Sequence, residues 1–458
     1  MRILLKCPTR SRPQKVLDCL RRYVSLAAHP EQIGIAVSCD EDDASMRNQF
    51  DLQQVLGRCA WSRIFYSPNK TKIQACNANM NEIDYPWDIV VLVSDDMQPQ
   101  IRGYDEILRN HMRASFPDTD GILWCNDGYQ GDKLNTLTVL GRRMFERLGH
   151  LYEPEYKSLF CDTELTDRCR GDLASKCVYI PHVLIRHEHP GTGYTQTMDP
   201  LYAKNQTYWN EDMHTYIRRK TYPVQWSVLI PTIPGREDTL RRLVESIHEK
   251  VARLAPEMTY EIRLGFDNRE QSIGRKRDGL LQAARGKYMS FVDDDDEITD
   301  AYIEDLWATM RGGYHVMRLR GQIASYTFTH SLENKLTGPM ARGEVFLRPP
   351  NHLNPMLTDV AKLLHFKDAT RGEDLEWTIR LARAGFLTTE YTSDPSRIHY
   401  LYMMGTRTVD PGSLAYQAAT SYETMLSMVW TPTGAQAPSP PPSRIPLLRL
   451  TSKGFVSS

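Results

Sequence analysis

The strongest constraint on the fold is a series of sequence features that occurs twice in the same order. Near the start, "RILLKCPTRSRPQKVLDCLRRYV" reads as an apolar strand, a Pro-Thr turn and an amphipathic helix, and "WSVLIPTIPGREDTLRRLVESIHEKV" repeats this plan. Each copy continues through a strand ending in acid, a basic polar segment and an apolar strand that ends in aspartates. Because strands alternate with helices, each copy is predicted to be an α/β domain with a mostly parallel sheet and right-handed crossovers.

The boundary between the copies is predicted in "RRKTYPVQ", which carries charge and a proline. This places the first domain at residues 1–222 and the second at 223–430. Residues 431–458 open with a Pro- and Ser-rich stretch of little periodicity, which is typical of a flexible tail.

Composition limits the partners of the chain. Its 458 residues include 56 Lys+Arg and 57 Asp+Glu, so no global basic field attracts nucleic acid or an anionic membrane, although a local basic groove is still allowed. No apolar run has the length of a membrane span, and the start reads as a strand and loop, so a cytoplasmic protein is expected (host cytoplasm if viral). All nine cysteines lie between Cys7 and Cys177 without metal-ligand spacing, which predicts reduced structural thiols.

The stretch "YMSFVDDDDEI" sends an apolar strand into four consecutive aspartates. A solvated acidic turn is the simplest interpretation. The alternative is a metal site at the carboxyl end of a buried strand, where Mn²⁺ or Mg²⁺ joins carboxylates to a nucleotide diphosphate. Asp295 and Asp296 are the predicted ligands, and Asp95 and Asp96 in "VLVSDDMQP" are taken as their counterparts.

A reaction that transfers a group to a hydroxyl group also requires a general base. Asp374 in "GEDLEW" and Asp162 in "CDTEL" each open a predicted helix downstream of the acidic strand end. Helix capping is the alternative role for an aspartate in this position. Because the pair recurs at equivalent places, both are predicted to be catalytic bases.

Three histidines follow apolar strands near the end of each copy: His187, His189 and His399. A single histidine in such a position is commonly a hydrogen-bonded core residue. Their matching positions make metal ligation an equal alternative, and the choice between His187 and His189 stays open.

Taken together, the Pro-Thr turns, "FVDDDDEI" and "GEDLEW" resemble the GT-A fold of family 2-like glycosyltransferases. The resemblance covers nearly the whole chain, twice, and implies two tandem GT-A (Rossmann-like) domains that take a nucleotide-sugar donor, with a UDP-sugar expected. It implies Asp295 on the metal, Asp293 near the ribose and Asp374 as base of an inverting displacement. The first domain, through "DTEL…IRHEHPGTG", resembles glycosyltransferase-like proteins of phages and bacteria.

The resemblance also implies a nucleotide pocket in each copy. In the second copy its residues are Pro231, Thr232, Asp267, Arg275, Arg277 and Asp293, and in the first they are Pro8, Thr9, Asp40 and Lys72. The first copy departs from the family pattern, because Val93 and Ser94 are taken to stand where the second copy has Asp293 and Asp294.

The acceptor is predicted only as a hydroxyl group, on a glycan, a glycoside or a hydroxymethylated base of phage DNA. In the last case "HLNP" at His352–Pro355 would be an acceptor-side loop. Two catalytic domains suggest two sequential sugar additions or a polymer of alternating units. A different class, a sugar- or nucleotide-binding protein without turnover, remains an alternative. A P-loop kinase and a nucleotidyltransferase are disfavoured because neither copy carries the Gly-rich loop of those enzymes.

Overall fold

The computed structural model describes residues 1–47, 50–188, 200–323, 326–334, 340–342, 345–403, 447–451 and 454–457. The chain divides into two compact units, Met1–Lys220 and Thr221–Ser458. In the described part of the chain, no helix has both the length and the apolar character needed to cross a membrane.

The first unit alternates strands and helices along the sequence. Its strands are β1 (Ile3–Thr9), β2 (Ile33–Asp40), β3 (Trp61–Ser67), β4 (Ile89–Leu92), β5 (Met97–Pro99), β6 (Ile122–Cys125), β7 (Thr138–Gly141), β8 (Cys177–Ile180) and β9 (Ile185–His187). Its helices are α1 (Pro13–Leu26), α2 (Phe50–Leu56), α3 (Lys72–Asn77), α4 (Tyr104–Ser115), α5 (Arg142–Leu148), α6 (Cys161–Arg170), α7 (Pro200–Gln206) and α8 (Trp209–Arg219).

The sheet of the first unit has the strand order β3-β2-β1-β4-β7-β6-β8. Strands β1 to β4 are mutually parallel, and β7 runs antiparallel to both β4 and β6. Strands β2 and β4 are buried along their whole length, as expected for parallel strands covered on both faces. Strands β5 and β9 form a separate antiparallel ribbon just past the carboxyl end of β4.

The second unit repeats this plan and extends it. Its helices are α9 (Glu237–Leu254), α10 (Ile273–Ala283), α11 (Asp300–Gly312), α12 (Thr358–Ala361) and α13 (Glu373–Ala384). Its strands are β10 (Val224–Thr232), β11 (Tyr260–Phe266), β12 (Gly286–Phe291), β13 (Glu297–Ile298), β14 (Val316–Met317), β15 (Leu319–Ile323), β16 (Tyr326–His330), β17 (Met340–Arg342), β18 (Val345–Arg348), β19 (Met356–Leu357), β20 (Glu390–Tyr391), β21 (Tyr400–Tyr402), β22 (Leu447–Thr451) and β23 (Gly454–Ser457).

The main sheet of the second unit has the order β20-β14-β19-β12-β10-β11-β22-β23. Its centre, β11-β10-β12, is parallel, and the remaining strands flank it mostly in antiparallel pairs. A second sheet has the order β13-β21-β15-β16-β18-β17. The predicted α/β class with largely parallel central strands is confirmed in both units.

The segment predicted as a flexible tail has two parts. Residues 431–446 lie outside the described residues. Beyond them, β22 pairs antiparallel with β11, with Ile262 opposite Leu450, and β23 pairs with β22. The run "LLRLT" supplies backbone partners for β11, and "GFVS" in turn pairs with "LLRLT".

Candidate functional site

The acidic stretch of the second unit forms a tight turn directly after β12. The Asp296 N–H donates to the Asp293 carbonyl at 3.1 Å, which closes the turn at the carboxyl end of a parallel strand. The side chains alternate in exposure along it: those of Asp293 and Asp295 are 26% and 44% exposed, whereas that of Asp294 is 2% exposed. The turn therefore presents two of its carboxylates to solvent and buries a third.

Asp294 fixes the turn to the end of β10. Its carboxylate accepts a hydrogen bond from Thr232 Oγ1 at 2.6 Å and from Arg236 Nη1 at 2.6 Å. Arg236 is the N-cap residue of α9 and also pairs with Asp295 at 3.0 Å. Thr232, predicted to line the nucleotide pocket, thus contacts the acidic turn directly.

Arg277 connects the acidic turn to the start of α13. Its guanidinium is buried, donates to Glu373 Oε1 at 2.8 Å and reaches both oxygens of Asp293 at 3.2 and 3.3 Å. Burial lowers the pKa of Arg277, but the carboxylates of Asp293, Asp374 and Glu373 outweigh it and the pKa is raised. One buried cation therefore holds together the two acidic motifs, although Asp293 and Glu373 are 80 positions apart in the sequence.

Asp374 lies in the first turn of α13. The helix begins after Gly372, whose φ of 73° is readily adopted by glycine. The Asp374 side chain is half-buried, and no hydrogen bond to its carboxylate is found among the described residues. A half-buried carboxylate beside Arg277 remains free to accept a proton from a bound hydroxyl group.

Asp296 has a different environment from its neighbours. It is buried and accepts hydrogen bonds from the Tyr400 hydroxyl at 2.7 Å and from the Met403 N–H at 2.8 Å. Burial raises the pKa of Asp296 to about 7, and burial also raises the pKa of Asp295. Of the two predicted ligands, Asp295 is the one that faces solvent.

His399 does not have the geometry of a metal ligand. Its Nδ1 accepts the Arg320 N–H at 2.9 Å and its Nε2 lies 2.8 Å from Asp305 Oδ2. The ring is buried, so both nitrogens are committed to the protein. His399 is a hydrogen-bonded core histidine, and its place after a strand does not distinguish this role from metal ligation.

The predicted nucleotide pocket of the second unit gathers at the carboxyl ends of β10 and β11. Asp267 is buried, forms an ion pair with Lys276 and accepts the Gln271 N–H at 3.0 Å. Lys276 Nζ also donates to the Thr232 carbonyl at 2.8 Å, so it ties the two strand ends together. Sequence reasoning chose the two arginines of "GRKR" and missed the lysine between them.

The other two predicted residues of this pocket are placed differently. Pro231 lies within β10, and Arg275 lies in the first turn of α10, half exposed, with its Nε 4.0 Å from Asp368 Oδ2. Arg275 therefore points to the surface, whereas Arg277 on the same helix is buried.

The acidic element of the first unit has a register that differs from the predicted one. In the first unit, the Val93 N–H donates to the Lys6 carbonyl and the Met97 N–H donates to the Ser94 carbonyl. In the second unit, the Val292 N–H donates to the Leu229 carbonyl and the Asp296 N–H donates to the Asp293 carbonyl. These paired hydrogen bonds make Ser94, Asp95 and Asp96 the equivalents of Asp293, Asp294 and Asp295. The prediction that Asp95 and Asp96 match Asp295 and Asp296 is therefore wrong by one residue, because strand pairing and not the run of acids sets the alignment.

Asp95 accordingly repeats the role of Asp294. It is buried, and its carboxylate accepts a hydrogen bond at 2.8 Å from Arg12, the N-cap residue of α1. Burial raises the pKa of Asp95 to about 6, although Arg12 opposes the shift. Asp95 is a buried carboxylate paired to an arginine, whereas the side chain of Asp96 is 15% exposed.

Asp96 lies beside His187. Ser94 Oγ and the Tyr202 hydroxyl donate to its carboxylate, and His187 Nε2 is 3.6 Å from Oδ2. On its other side His187 Nδ1 is 3.8 Å from Asp127 Oδ2. Burial lowers the pKa of His187, but the two carboxylates outweigh it and raise the pKa to about 9.

The strand register gives His187 and His399 different positions relative to the acidic turns. His187 pairs with Met97 across β5 and β9, whereas Glu297 pairs with Leu401 across β13 and β21. His187 is therefore equivalent to Tyr402, and His399 has no equivalent beside the acidic turn. His189 lies outside the described residues.

The cations of the first unit come from other sequence positions than those of the second. By helix register, Cys76 and Cys161 replace Arg277 and Glu373. Lys72, at the first position of α3, is exposed and lies within electrostatic reach of Asp96 and Asp162. The first unit thus keeps a cation near its candidate base but supplies it from the surface of α3.

The charged residues at the end of β1 also differ from those at the end of β10. Asp40 forms an ion pair with Arg10 at 2.6 Å, and Lys6 is fully buried, donating to Ser38 Oγ and to the Ala75 carbonyl at 3.2 Å. Ala75 is the equivalent of Lys276, so Asp40 takes its ion pair from Arg10 and not from this helix, whereas Asp267 pairs with Lys276. Thr9 and the preceding Pro8 end β1, and Thr9 Oγ1 is buried with no partner among the described residues.

A metal held by the protein alone is not supported by the donor set. Among the described residues, no group of three His, Cys, Asp or Glu side chains converges to hold an ion. Asp293 and Asp295 on one turn do fit a cation that completes its coordination with ligand oxygens, as Mg²⁺ and Mn²⁺ do with phosphates.

No protein-family model and no curated protein matches the chain. Among solved structures, the mannosyltransferase PcManGT from Pyrobaculum calidifontis, in complex with GDP-Man and Mn²⁺, matches at 12% identity and a TM-score of 0.37, covering 48% of this chain and 63% of that one. TarS 1-349 from S. aureus matches at 16% identity and a TM-score of 0.29, over 39% and 60% of the two chains. The same fragment in complex with UDP-GlcNAc matches at 14% and 0.30, over 44% and 66%. Likenesses this partial assign no role to any residue here.

Proposed function

We propose that the chain is a metal-dependent glycosyltransferase that moves a sugar from a nucleoside-diphosphate sugar, with UDP-sugars the expected donors, to an acceptor hydroxyl group. The observation that carries the proposal is Arg277. It joins Asp293 of the acidic turn to Glu373 beside Asp374, so the candidate phosphate-binding acids and the candidate base face one site. That site lies where open α/β sheets bind their ligands, at the carboxyl ends of parallel strands.

Each side chain has a distinct part in this proposal. Asp293 and Asp295 would hold Mn²⁺ or Mg²⁺ together with the donor diphosphate, and the ion would stabilise the negative charge of the departing diphosphate. Asp374 accepts the proton of the acceptor hydroxyl. The acceptor oxygen then bonds to the anomeric carbon while the bond from that carbon to the diphosphate oxygen breaks, and its electron pair leaves with the diphosphate. A single displacement of this kind inverts the anomeric configuration.

The first unit is proposed to have the same kind of site in a reduced form. Asp96 is the partly exposed acid of its turn, His187 is the adjacent group, and Asp162 at the start of α6 is its candidate base. Two such sites in one chain allow two sequential transfers.

Asp374→Asn tests the proposal against a matched control, Glu376→Gln. Glu376 lies on the same helix and pairs with Arg380, away from Arg277. Both variants also carry Asp162→Asn, which removes the candidate base of the first unit. In that background, release of UDP from a panel of UDP-sugars is expected to fall by about 100-fold or more in Asp374→Asn, because general-base catalysis is lost. Binding of UDP should stay unchanged in both variants. Full turnover in Asp374→Asn would show that this residue only caps α13.

A further inference from the structure

The start of α6 in the first unit carries a strained aromatic residue. Phe160 precedes the helix with φ 60° and ψ −9°, a left-handed conformation that is unfavourable for a bulky side chain. The equivalent residue in the second unit is Gly372, with φ 73°, which adopts this conformation freely. The first unit therefore has an aromatic ring at a position where the backbone favours glycine.

Asp212 holds this strained conformation in place. It is buried, and its carboxylate accepts the N–H groups of Lys157, Ser158 and Leu159 at 2.8, 2.8 and 2.7 Å. Three consecutive amides on one carboxylate fix the loop immediately before Phe160. The Ile73 N–H also donates to the Lys157 carbonyl at 3.1 Å, which ties the loop to the start of α3.

The ring of Phe160 belongs to an aromatic group that is partly open to solvent. It meets Trp209 edge to face at 4.9 Å and stacks on Tyr216 at 5.8 Å. Phe160 and Trp209 are both half-buried, so part of each ring stays accessible. Phe160 lies two residues before Asp162, the candidate base.

We propose that Phe160 and Trp209 form an acceptor subsite that binds the apolar face of a sugar ring, so that one of its hydroxyl groups meets Asp162. This proposal rests on the proposed function of the first unit. Flat aromatic faces bind the C–H surface of a saccharide while its hydroxyl groups stay solvated. The acceptor of the first unit is then a saccharide or glycoside.

The surrounding charges favour a neutral sugar over a nucleic acid. Lys157 pairs with Glu211 at 2.6 Å, and Arg219 pairs with Glu153 and Glu164 at 2.6 and 2.8 Å. Cations that are neutralised by glutamates do not provide the positive surface that a phosphate backbone requires. A flipped base of DNA would also stack on aromatic rings, so it is one outcome of the test.

The test uses the full chain and saturation-transfer NMR with methyl α- and β-glycosides of glucose, galactose and mannose. Phe160→Gly restores the residue type that the second unit has, and so removes the ring without straining the backbone. Trp209→Phe retains an aromatic face as a conservative variant. The control is Tyr129→Ala, which removes a 51% exposed aromatic residue elsewhere in the first unit.

We expect one glycoside to bind wild-type protein, with affinity reduced about 2- to 10-fold in Phe160→Gly and unchanged in Tyr129→Ala. Trp209→Phe should retain most of the binding. Equal binding in wild type and Phe160→Gly, or no glycoside binding by wild type, overturns the subsite. Binding of a single-stranded oligonucleotide that depends on Phe160, without glycoside binding, overturns it in favour of a base-stacking site. UDP binding is measured in parallel in Asp295→Asn, which removes the proposed site of the second unit. UDP binding that persists there leaves the proposed function of the first unit standing if the subsite fails.

Discussion

Replacing Arg277 by cysteine tests whether this residue joins the two acidic motifs. Glu373 is 4% exposed and bonds to Arg277 at 2.8 Å, so the replacement leaves a buried carboxylate without its cation. Breaking a buried ion pair in this way costs about 3–5 kcal/mol of unfolding free energy. Glu373→Cys is expected to cost less, about 1–3 kcal/mol, because Arg277 retains Asp293.

The double variant Arg277→Cys/Glu373→Cys gives the second unit the residue types that the first unit carries as Cys76 and Cys161. It removes both charges together, so the unpaired buried carboxylate of the single variant is absent. Its cost is expected to be about 2 kcal/mol smaller than the sum of the two single costs. This difference between the summed single costs and the cost of the double variant measures the coupling between Arg277 and Glu373.

Urea unfolding under reducing conditions, followed by tryptophan fluorescence, measures all three variants. Arg275→Cys is the control, since Arg275 lies on the same helix but is 51% exposed, and a change within about 0.5 kcal/mol is expected. Additive single costs would refute the reasoning, because they would mean that Arg277 and Glu373 do not stabilise each other.

Two further predictions concern buried basic groups. Burial lowers the pKa of Lys6 from 10.5 to about 8, so the unfolded chain binds a proton that the folded chain lacks between these values. The stability of the first unit should therefore rise by up to about 3 kcal/mol between pH 8 and 10.5, and the rise should disappear in Lys6→Met; an unchanged slope in that variant would contradict the assignment. His399→Gln should lower the stability of the second unit by about 1–3 kcal/mol through its lost bond to Asp305, without changing the Mn²⁺ dependence of nucleotide binding. A large loss of Mn²⁺ dependence in that variant would restore His399 as a ligand.

The duplicated plan could be predicted from the sequence because each strand and helix carries its own hydrophobic pattern. The same patterns place the Pro-Thr turn, the acidic turn and the start of α13 at strand and helix ends. The grouping of Thr232, Arg277 and Asp293 was implied by the resemblance to the GT-A fold, and the contacts from Thr232 to Asp294 and from Arg277 to Asp293 bring these residues to the acidic turn.

The alignment of the acidic elements could not be predicted in the same way. A run of aspartates gives no register, and the hydrogen bonds from Val93 to Lys6 and from Val292 to Leu229 are needed to align Asp96 with Asp295. The role of His399 could not be predicted for a related reason. Its distance from the strand end is visible in the sequence, but the partners of its two ring nitrogens come from residues 79 and 94 positions away.

Compensating exchanges are also invisible in a single sequence. Arg10 pairs with Asp40 where Lys276 pairs with Asp267, and Asp212 acts on a loop 53 to 55 residues earlier. Such contacts depend on packing between elements and have no local pattern that predicts them.

The central claim is that the acidic turn of the second unit binds a nucleotide diphosphate through a divalent cation. Titration calorimetry of UDP and GDP, with and without Mn²⁺, tests it most directly when wild type is compared with Asp295→Asn and with Asp96→Asn. We expect Mn²⁺-dependent binding that Asp295→Asn removes from the second unit and that persists there in Asp96→Asn. The absence of Mn²⁺-dependent binding of either nucleotide, or unchanged binding in Asp295→Asn, would contradict it.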